Sequence, residues 1–283
     1  MEDYGIYERN DKIYTGSEEK FGITIENDNF IVKFRKNSET GLNNNHICEH
    51  LGSNIFILLG EEAQITALGR YKGREIVLCK DFNTLNSVFT PFNGVGESSL
   101  ERDREIYQYT YEDITNMLMD NSKITNIPDT INKFWNMYII DALIGNFDRH
   151  GANWGFLKES NKYRLAPIFD NGSSLFPRRN SDDSMMEVIN EPSIIEKMTF
   201  TYPTSQIRLN NRKSSYFDVI NSLEFAECNN ALQRIYNKID LSKINKLIDI
   251  QEELTEVQKI FYKFIISYRY ESIIKKSYEK LMG

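Results

Sequence analysis

The segment LIGNFDRHGANWGF, from Leu143 to Phe156, places Asp148, His150 and Asn153 in a short polar loop after an apolar run. Downstream, the apolar run LAPIFD ends on Asp170. A carboxylate in such a loop can orient a hydroxyl group and accept its proton. An amide oxygen and a second carboxylate are hard ligands that suit a Mg²⁺ ion bound to phosphate oxygens. Asp and Asn are common turn residues, but their combination favours a site for phosphate transfer.

Lys33 lies in the apolar segment FIVKF, which predicts a strand. Side chains alternate along a strand, so Lys33 shares a face with Ile31 and its amine would reach the rim of a cleft. Glu49, in the helical pattern HICEHLGSNI, is the natural partner. A strand lysine paired with a helix glutamate clamps phosphates in protein kinases. The alternative is an edge-strand lysine that opposes aggregation.

Other patterns give weaker signals. TGSEEKFG, from Thr15 to Gly22, could present backbone N–H groups to phosphate, but it lacks the Gly-x-Gly-x-x-Gly pattern. His46 and His50 are spaced as in helical zinc sites, but without a third ligand nearby we interpret them as ordinary helix residues. The scattered cysteines and the lack of a Gly-x-Ser-x-Gly motif indicate neither thiol catalysis nor a serine hydrolase.

Two predicted hairpins must position these groups. FGITIENDNFIVKF has two apolar arms around a polar turn and carries Lys33. WGFLKESNKYRLAPIFD has a second pair of arms, with Asn153 just before the first and Asp170 at the end of the second. Because paired strands lie about 5 Å apart, this hairpin would bring Asn153 and Asp170 towards one metal ion.

The order of the patterns predicts the architecture. Residues 1–90 have the pattern of strands around one helix, and helical periodicity dominates afterwards, at 105–119, 130–144, 231–250 and 254–281. The stretch TPFNGVGESS is rich in turn formers and marks the boundary. We therefore predict an α+β fold with a small β-rich N-lobe at 1–90 and a large, mainly helical C-lobe at 91–283.

Composition limits the partners and the compartment. The formal net charge is −7, so we expect no direct nucleic-acid binding, which needs a basic face. No apolar run approaches the roughly 18 residues that span a membrane, and the acidic start MEDYGIYERNDK is unlike a secretory signal. With its scattered cysteines, the chain is predicted to be cytoplasmic in the producing cell, without a membrane partner. Release or delivery as an effector stays open.

Four segments together resemble the HipA-like serine/threonine kinases, in particular the compact, CtkA-type bacterial members: NFDRHGANWGF, APIFDNGSSLFP, FIVKF and VLCKDF. The resemblance covers most of the chain. It implies a two-lobed, protein-kinase-like (HipA-like) fold. It also implies an ATP- and Mg²⁺-dependent enzyme that transfers the γ-phosphate to a serine or threonine of a protein substrate.

The resemblance implies a role for each matching position. Asp148 would be the catalytic base, and His150 would support the geometry of the Asp-x-His-x-x-Asn loop. Asn153 and Asp170 would hold Mg²⁺, and Lys33 would bind the ATP phosphates. The other nucleotide-binding positions would be Glu49, which orients the lysine, then Gly16, Ser17 and Lys20 of the phosphate loop, and Cys79, Lys80 and Asp81 of a hinge whose backbone receives adenine.

Two departures from the family pattern limit what carries over. Larger HipA toxins have a further N-terminal region that helps to contact their antitoxin, and only a short segment precedes the phosphate loop here. The resemblance therefore does not extend to an antitoxin partner. The serine that HipA autophosphorylates aligns with Ile13, which leaves Thr15 and Ser17 as neighbouring candidates for autophosphorylation. A toxin and a host-directed effector are both compatible with the resemblance.

Two other functions stay open. A lipid or small-molecule kinase could use a similar loop, although the acidic charge and the lack of an amphipathic anchor oppose a lipid substrate. A nucleotide-binding pseudokinase scaffold would have no need of Lys33, Asp148, Asn153 and Asp170 together, so their joint presence opposes it.

Overall fold

The computed structural model describes residues 1–14, 19–39, 41–95, 110–121, 123–209 and 212–283. Thr15, Gly16 and Ser17 of the expected phosphate loop lie outside the described residues, as does the start of the helix predicted at 105–119. The described ranges combine a β-rich N-terminal part with a mainly helical C-terminal part. This is the α+β arrangement that the order of the sequence patterns predicts.

The strands within the described ranges form four sheets. In chain order they are β1 (Glu2–Asp3), β2 (Lys20–Ile25), β3 (Asp28–Phe34), β4 (Asn37–Ser38), β5 (Gly41–Leu42), β6 (Thr66–Tyr71), β7 (Arg74–Lys80), β8 (Ser87–Pro91), β9 (Gly155–Glu159), β10 (Lys162–Leu165), β11 (Thr204–Leu209) and β12 (Arg212–Ser215).

The helices are, in chain order, α1 (Asn45–Leu58), α2 (Phe92–Val95), α3 (Tyr111–Met119), α4 (Ile127–Ile144), α5 (Asp182–Asn190), α6 (Pro192–Glu196), α7 (Tyr216–Ser222), α8 (Ala226–Tyr236), α9 (Leu241–Asp249), α10 (Glu256–Arg269) and α11 (Lys276–Met282). Turns of π-helix occupy Lys197–Thr201 and Tyr270–Lys275. Among the described residues, no helix has both the length and the apolar character needed to cross a membrane.

The largest sheet carries Lys33 and has the strand order β1-β6-β7-β3-β2. Strand β3 lies between β2 and β7, and it pairs with both in the antiparallel direction. Because side chains alternate along a strand, Ile31 and Lys33 share one face of the sheet, which we call the cleft face. The opposite face carries Phe21, Val32 and Leu78, which are buried in a separate small apolar core.

Helix α1 connects the sheet to the helical part of the molecule. Its buried side chains Cys48, Leu51 and Ile55 belong to the same large apolar core as Trp135 and Leu143 of α4. Glu49, one residue after Cys48, is therefore carried on a helix that the core holds in place.

Capping residues explain where helices differ from the predicted ranges. Helix α4 begins earlier than expected, because the Asn126 side chain caps it and Pro128 occupies its first turn. The run predicted at 231–250 divides into α8 and α9. The Asp240 side chain caps the second helix, because it accepts hydrogen bonds from the backbone N–H groups of Ser242 and Lys243. The run predicted at 254–281 becomes α10, a π-helical turn and α11.

Gly52→Ala should destabilise the protein, although alanine is normally the better helix residue by about 1 kcal/mol. A Cβ atom at position 52 would lie 2.7 Å from the Cβ of Asn171 and 3.1 Å from the Oγ of Ser174. We expect the free energy of unfolding, measured by urea denaturation, to fall by about 1–3 kcal/mol. Gly94→Ala in α2 is the control, because its Cβ would make contacts of 3.5 Å and longer. An increase in stability for Gly52→Ala would contradict the close packing.

Candidate active site

The ammonium group of Lys33 bridges two carboxylates from distant parts of the chain. Its Nζ lies 3.4 Å from Oε1 of Glu49 on α1 and 3.1 Å from Oδ1 of Asp170, which follows β10. The side chains of Lys33 and Glu49 are 8% and 3% exposed, whereas that of Asp170 is 30% exposed. The structure thus brings together three residues that the sequence singled out, with Asp170 the most accessible.

The backbone of Asp170 takes part in the same arrangement. Asp170 has a left-handed conformation, with φ at 59°, which Asp adopts more readily than most residues. Its N–H donates to Oε1 of Glu49 (3.1 Å), the oxygen that also accepts from Lys33. Burial by itself raises the pKa of Asp170, but the Lys33 ammonium lowers it more, so the pKa lies below its ordinary value. Asp170 is therefore ionised at neutral pH.

The loop that carries Asp148 begins where α4 ends at Gly145. This glycine has a φ of 65°, the left-handed conformation that commonly ends a helix. Asp148 N donates to Oδ1 of Asn146 (3.1 Å), and His150 N donates to the Asp148 carbonyl (2.9 Å). The Asn153 side chain donates from Nδ2 to the same carbonyl (2.8 Å). Hydrogen bonds within the loop therefore hold Asp148, His150 and Asn153 in relative position.

The carboxyl group of Asp148 is accessible, since its side chain is 48% exposed. His150 Nε2 lies 3.9 Å from Oδ1 of Asp148. The Nδ1 atom of His150 accepts a hydrogen bond from Ala152 N (3.2 Å), which assigns the ring proton to Nε2 in the neutral form. Burial raises the pKa of Asp148, His150 opposes the rise, and Asp170 adds to it. A raised pKa makes the ionised carboxylate a better proton acceptor.

Asn153 and Asp170 offer oxygen ligands in neighbouring segments. Arg149 Nη1 donates to the carbonyls of both Asn153 and Phe169, so both segments lie within hydrogen-bonding distance of one nitrogen atom. The Asn153 amide nitrogen is bound to the Asp148 carbonyl, which leaves the amide oxygen as the ligand atom. This oxygen and an ionised carboxylate fit a hard cation such as Mg²⁺. In the described ranges, no group of three or more His, Cys, Asp or Glu could hold a metal ion.

Sequence reasoning missed the buried ion pair that supports this loop. Arg149 donates from Nε and Nη2 to the two carboxylate oxygens of Asp141 on α4, at 2.9 and 3.0 Å. Nη2 also donates to the side chain of Asn171. The Arg149 and Asp141 side chains are only 5% and 1% exposed. The available signal was Asp141 itself, because a carboxylate within an apolar helix needs a partner.

The predicted hinge has several backbone groups engaged within the sheet. Cys79 lies in β7, between β3 and β6. Lys80 N donates to the carbonyl of Ile65, and Asp81 N donates to that of Asn29, both at 2.8 Å. The N–H groups of Lys80 and Asp81 are therefore engaged, and a nucleotide base that bonded to this backbone would more readily meet the segment that follows Asp81.

Lys20 and three aromatic rings complete the surroundings of the site. Lys20 begins β2 directly opposite Lys33, so both side chains lie on the cleft face. The rings of Phe82, Phe89 and Phe169 contact one another, with centroids 5.0 to 5.8 Å apart. This aromatic cluster links the residue after Asp81 to the residue before Asp170, and its rings are partly exposed. Such a surface suits stacking against a purine.

Comparisons with a protein family, with a known protein and with solved structures point to the same group of proteins. Residues 13–257 match the HipA-like C-terminal domain family. The chain is 31% identical over 262 residues to the serine/threonine-protein kinase CtkA of Helicobacter pylori, which covers 90% of this chain and 80% of that protein. The crystal structure of a Helicobacter pylori proinflammatory kinase CtkA matches with a TM-score of 0.87 and 29% identity, over 99% of this chain and 98% of that one.

A second solved structure is more distant. It contains the Shewanella oneidensis MR-1 toxin HipA with HipB and operator DNA, and the match has a TM-score of 0.54 at 15% identity. It covers 88% of this chain and 60% of the other chain. At this identity the likeness concerns the fold alone.

These comparisons confirm the resemblance and the α+β, kinase-like fold class that the sequence predicts. The family match includes every described residue that the site brings together, from Lys20 to Asp170. The chain belongs to the HipA-like C-terminal domain family and is a HipA-like serine/threonine kinase.

Proposed function

We propose that this kinase uses ATP and Mg²⁺ and transfers the γ-phosphate to a serine or threonine hydroxyl of a protein substrate. The observation that carries the proposal is the position of Lys33, which donates to Glu49 and to Asp170 at once. A strand lysine held by a helix glutamate, next to a metal-binding carboxylate, is the arrangement that positions ATP phosphates in protein kinases.

The chain's own groups would act by positioning and by charge. Lys33 would bind phosphate oxygens, and Glu49 would keep the amine in place. Asp148 would accept a hydrogen bond from the substrate hydroxyl, aim its oxygen at the phosphorus and take its proton as the new P–O bond forms. His150 would hold the loop geometry. Precise placement and charge stabilisation would supply most of the rate.

Asn153 and Asp170 are the residues that would hold Mg²⁺. When bound there, the ion would neutralise charge on the phosphate oxygens. Arg149 supports this assignment, because it bonds to the backbone next to Asp170 and to the backbone of Asn153. The positions of the two ligands would then change little when nucleotide binds.

We also propose that residues 1–90 and 91–283 act as two lobes with the nucleotide between them. Lys20, Lys33 and the segment from Asp81 would contact the nucleotide from the first lobe, and Gly16 and Ser17 would belong to its phosphate loop. The partner would be a protein substrate, and the net charge of −7 disfavours a nucleic-acid or anionic-lipid partner. Autophosphorylation at Thr15 or Ser17 is part of the proposal.

Asp148→Ala should reduce transfer of ³²P from γ-labelled ATP to protein by roughly 10²- to 10⁴-fold, the contribution of a positioned base. Labelling would be followed with the protein alone and with a phosphatase-treated lysate of the producing cell. The variant should still bind ATP, because Lys33 keeps its bonds to Glu49 and Asp170.

Lipid vesicles and a small-molecule extract serve as parallel acceptors in the same experiment. Label in either of these but not in protein would favour the alternative kinase functions. Binding of ATP without transfer by the wild type to any acceptor would favour a scaffold. Full activity of Asp148→Ala would exclude that residue as the base.

Asp170→Asn should weaken ATP binding in the presence of Mg²⁺ by roughly tenfold or more, equivalent to at least about 1.4 kcal/mol. The amide is a poorer ligand for Mg²⁺ than the carboxylate. Isothermal calorimetry with and without Mg²⁺ measures the difference. Asp148→Ala is the matched control, since it removes a nearby carboxylate that is not a proposed ligand. Equal Mg²⁺ dependence in the wild type and Asp170→Asn would refute the ligand assignment.

The specificity constant kcat/KM should fall at acidic pH. The midpoint of this fall should lie above about 4, which is the ordinary pKa of an Asp side chain. Burial raises the pKa of Asp148, so the base becomes protonated, and inactive, as the pH falls through this higher value. His150 opposes that rise, and His150→Gln should therefore move the acid limb to higher pH. The protonation of ATP is the same in assays of the wild type and of His150→Gln. A difference between their two pH profiles therefore reports a titrating group of the enzyme. An unchanged or lower midpoint in His150→Gln would contradict this.

A further inference from the structure

Residues 10–14 run from a backbone hydrogen bond at the β2 edge of the main sheet to the side chain of Asp81 in the predicted hinge. Asn10 N donates to the carbonyl of Gly22 in β2 (2.9 Å). The Asn10 side chain donates from Nδ2 to Oγ1 of Thr24 (3.1 Å) and to Oδ1 of Asn29 (3.2 Å). The start of this segment is therefore fixed to two strands of the sheet.

Two side chains of this segment, those of Asn10 and Tyr14, lie over the cleft face. Gly22 pairs directly with Ile31, so a side chain at position 22 would point to the face that carries Ile31 and Lys33. A Cβ atom on Gly22 would lie 2.1 Å from Oδ1 of Asn10 and 3.0 Å from Cε2 of Tyr14. Asn10 and Tyr14 thus occupy the space that the glycine leaves free on the cleft face.

The other end of the segment is bonded to the side chain of Asp81. Its Oδ2 accepts from Lys12 Nζ (2.9 Å) and from the Tyr14 hydroxyl (2.8 Å). Its Oδ1 accepts from the backbone and side-chain nitrogens of Asn83, at 2.9 and 2.8 Å. The Asp81 side chain is 2% exposed, whereas that of Lys12 is 38% exposed. One buried carboxylate therefore joins residues 12–14 to the hinge.

The charge state of Asp81 fits this role. Burial raises its pKa, but the hydrogen bonds from Lys12, Asn83 and Tyr14 lower it more, so the pKa lies below the ordinary value. The carboxylate is therefore ionised at neutral pH. Bonds to an ionised acceptor are stronger than bonds between neutral groups.

We propose that residues 10–14 form a strap over the nucleotide cleft, and that the Asp81 side chain holds the strap closed and so slows nucleotide release. The inference rests on the proposed function, because it assumes a nucleotide under the cleft face. Tyr14 lies against Gly22 on that face. Its hydroxyl donates a hydrogen bond to Asp81 of the hinge, and the next residue, Phe82, belongs to the aromatic cluster. A purine between the cleft face and that cluster would be retained while the strap is closed.

Tyr14→Phe tests the strap because it removes one hydrogen bond and keeps the ring. The probe is ATP carrying a methylanthraniloyl group on the ribose, bound with Mg²⁺ and displaced by excess unlabelled ATP in a stopped-flow instrument. We expect release to become roughly tenfold faster, the scale of losing one hydrogen bond to a charged group. The KM for ATP should rise while kcat changes little, since the bond that is lost joins Tyr14 to Asp81 and not to a group proposed to act on the phosphate.

Tyr4→Phe is the matched control. The Tyr4 hydroxyl also donates to a carboxylate, Oε2 of Glu2 (3.0 Å), but Tyr4 belongs to the apolar core on the opposite face of the sheet. Its loss should leave probe release unchanged. A general loosening of the sheet would accelerate release in both variants and would contradict the strap.

Asp81→Ala should accelerate release at least as much as Tyr14→Phe, and the double variant should be no faster than Asp81→Ala alone, because the two residues act through one bond. Additive effects would contradict this coupling. If the probe leaves Tyr14→Phe at the same rate as the wild type, or more slowly, the strap is contradicted and the proposed function still stands. A wild type that does not bind the probe would contradict both the strap and the proposed function.

Discussion

The ammonium group of Lys33 depends on two carboxylates that reach it from α1 and from the segment after β10. A buried charge that loses its partner is unfavourable by about 3–5 kcal/mol. The sheet, the helix and the segment must therefore stay together for Lys33 to keep both partners at its present position. Close packing supports the same geometry, because Gly52 lets α1 approach the backbone near Asn171. Charge pairing and packing thus favour one arrangement of the site.

The apolar core holds the elements of this arrangement against one another. Helix α1 shares its core with α4, and α4 leads through Gly145 into the loop of Asp148. The lysine's partner is consequently carried on α1, and the candidate base on the loop that directly follows α4, and the two helices pack in one core. Preorganised groups lose little freedom when a substrate binds, which is how fixed charges contribute most to catalysis.

Much of this site could be predicted from the sequence because its parts lie in strongly patterned segments. The FIVKF strand, the HICEH helix and the KESNK hairpin each follow a clear period, and the structure contains all three. The division of 231–250 into two helices was not predicted, since one Asp cap interrupts an otherwise continuous pattern. The bonds of Arg149 and Asp81 were not predicted either, because a side chain that bridges distant segments leaves no periodic signal in either one.

The guanidinium group of Arg149 has a consequence for control of the enzyme. Nε, Nη1 and Nη2 carry five N–H donors, and these bond to both oxygens of Asp141, the carbonyls of Asn153 and Phe169, and the side chain of Asn171. No donor is left for a phosphorylated residue on a mobile segment. Lysine, with three donors and no planar fork, could not replace it. A phosphorylated residue could therefore reach this arginine only by displacing one of the five bonds.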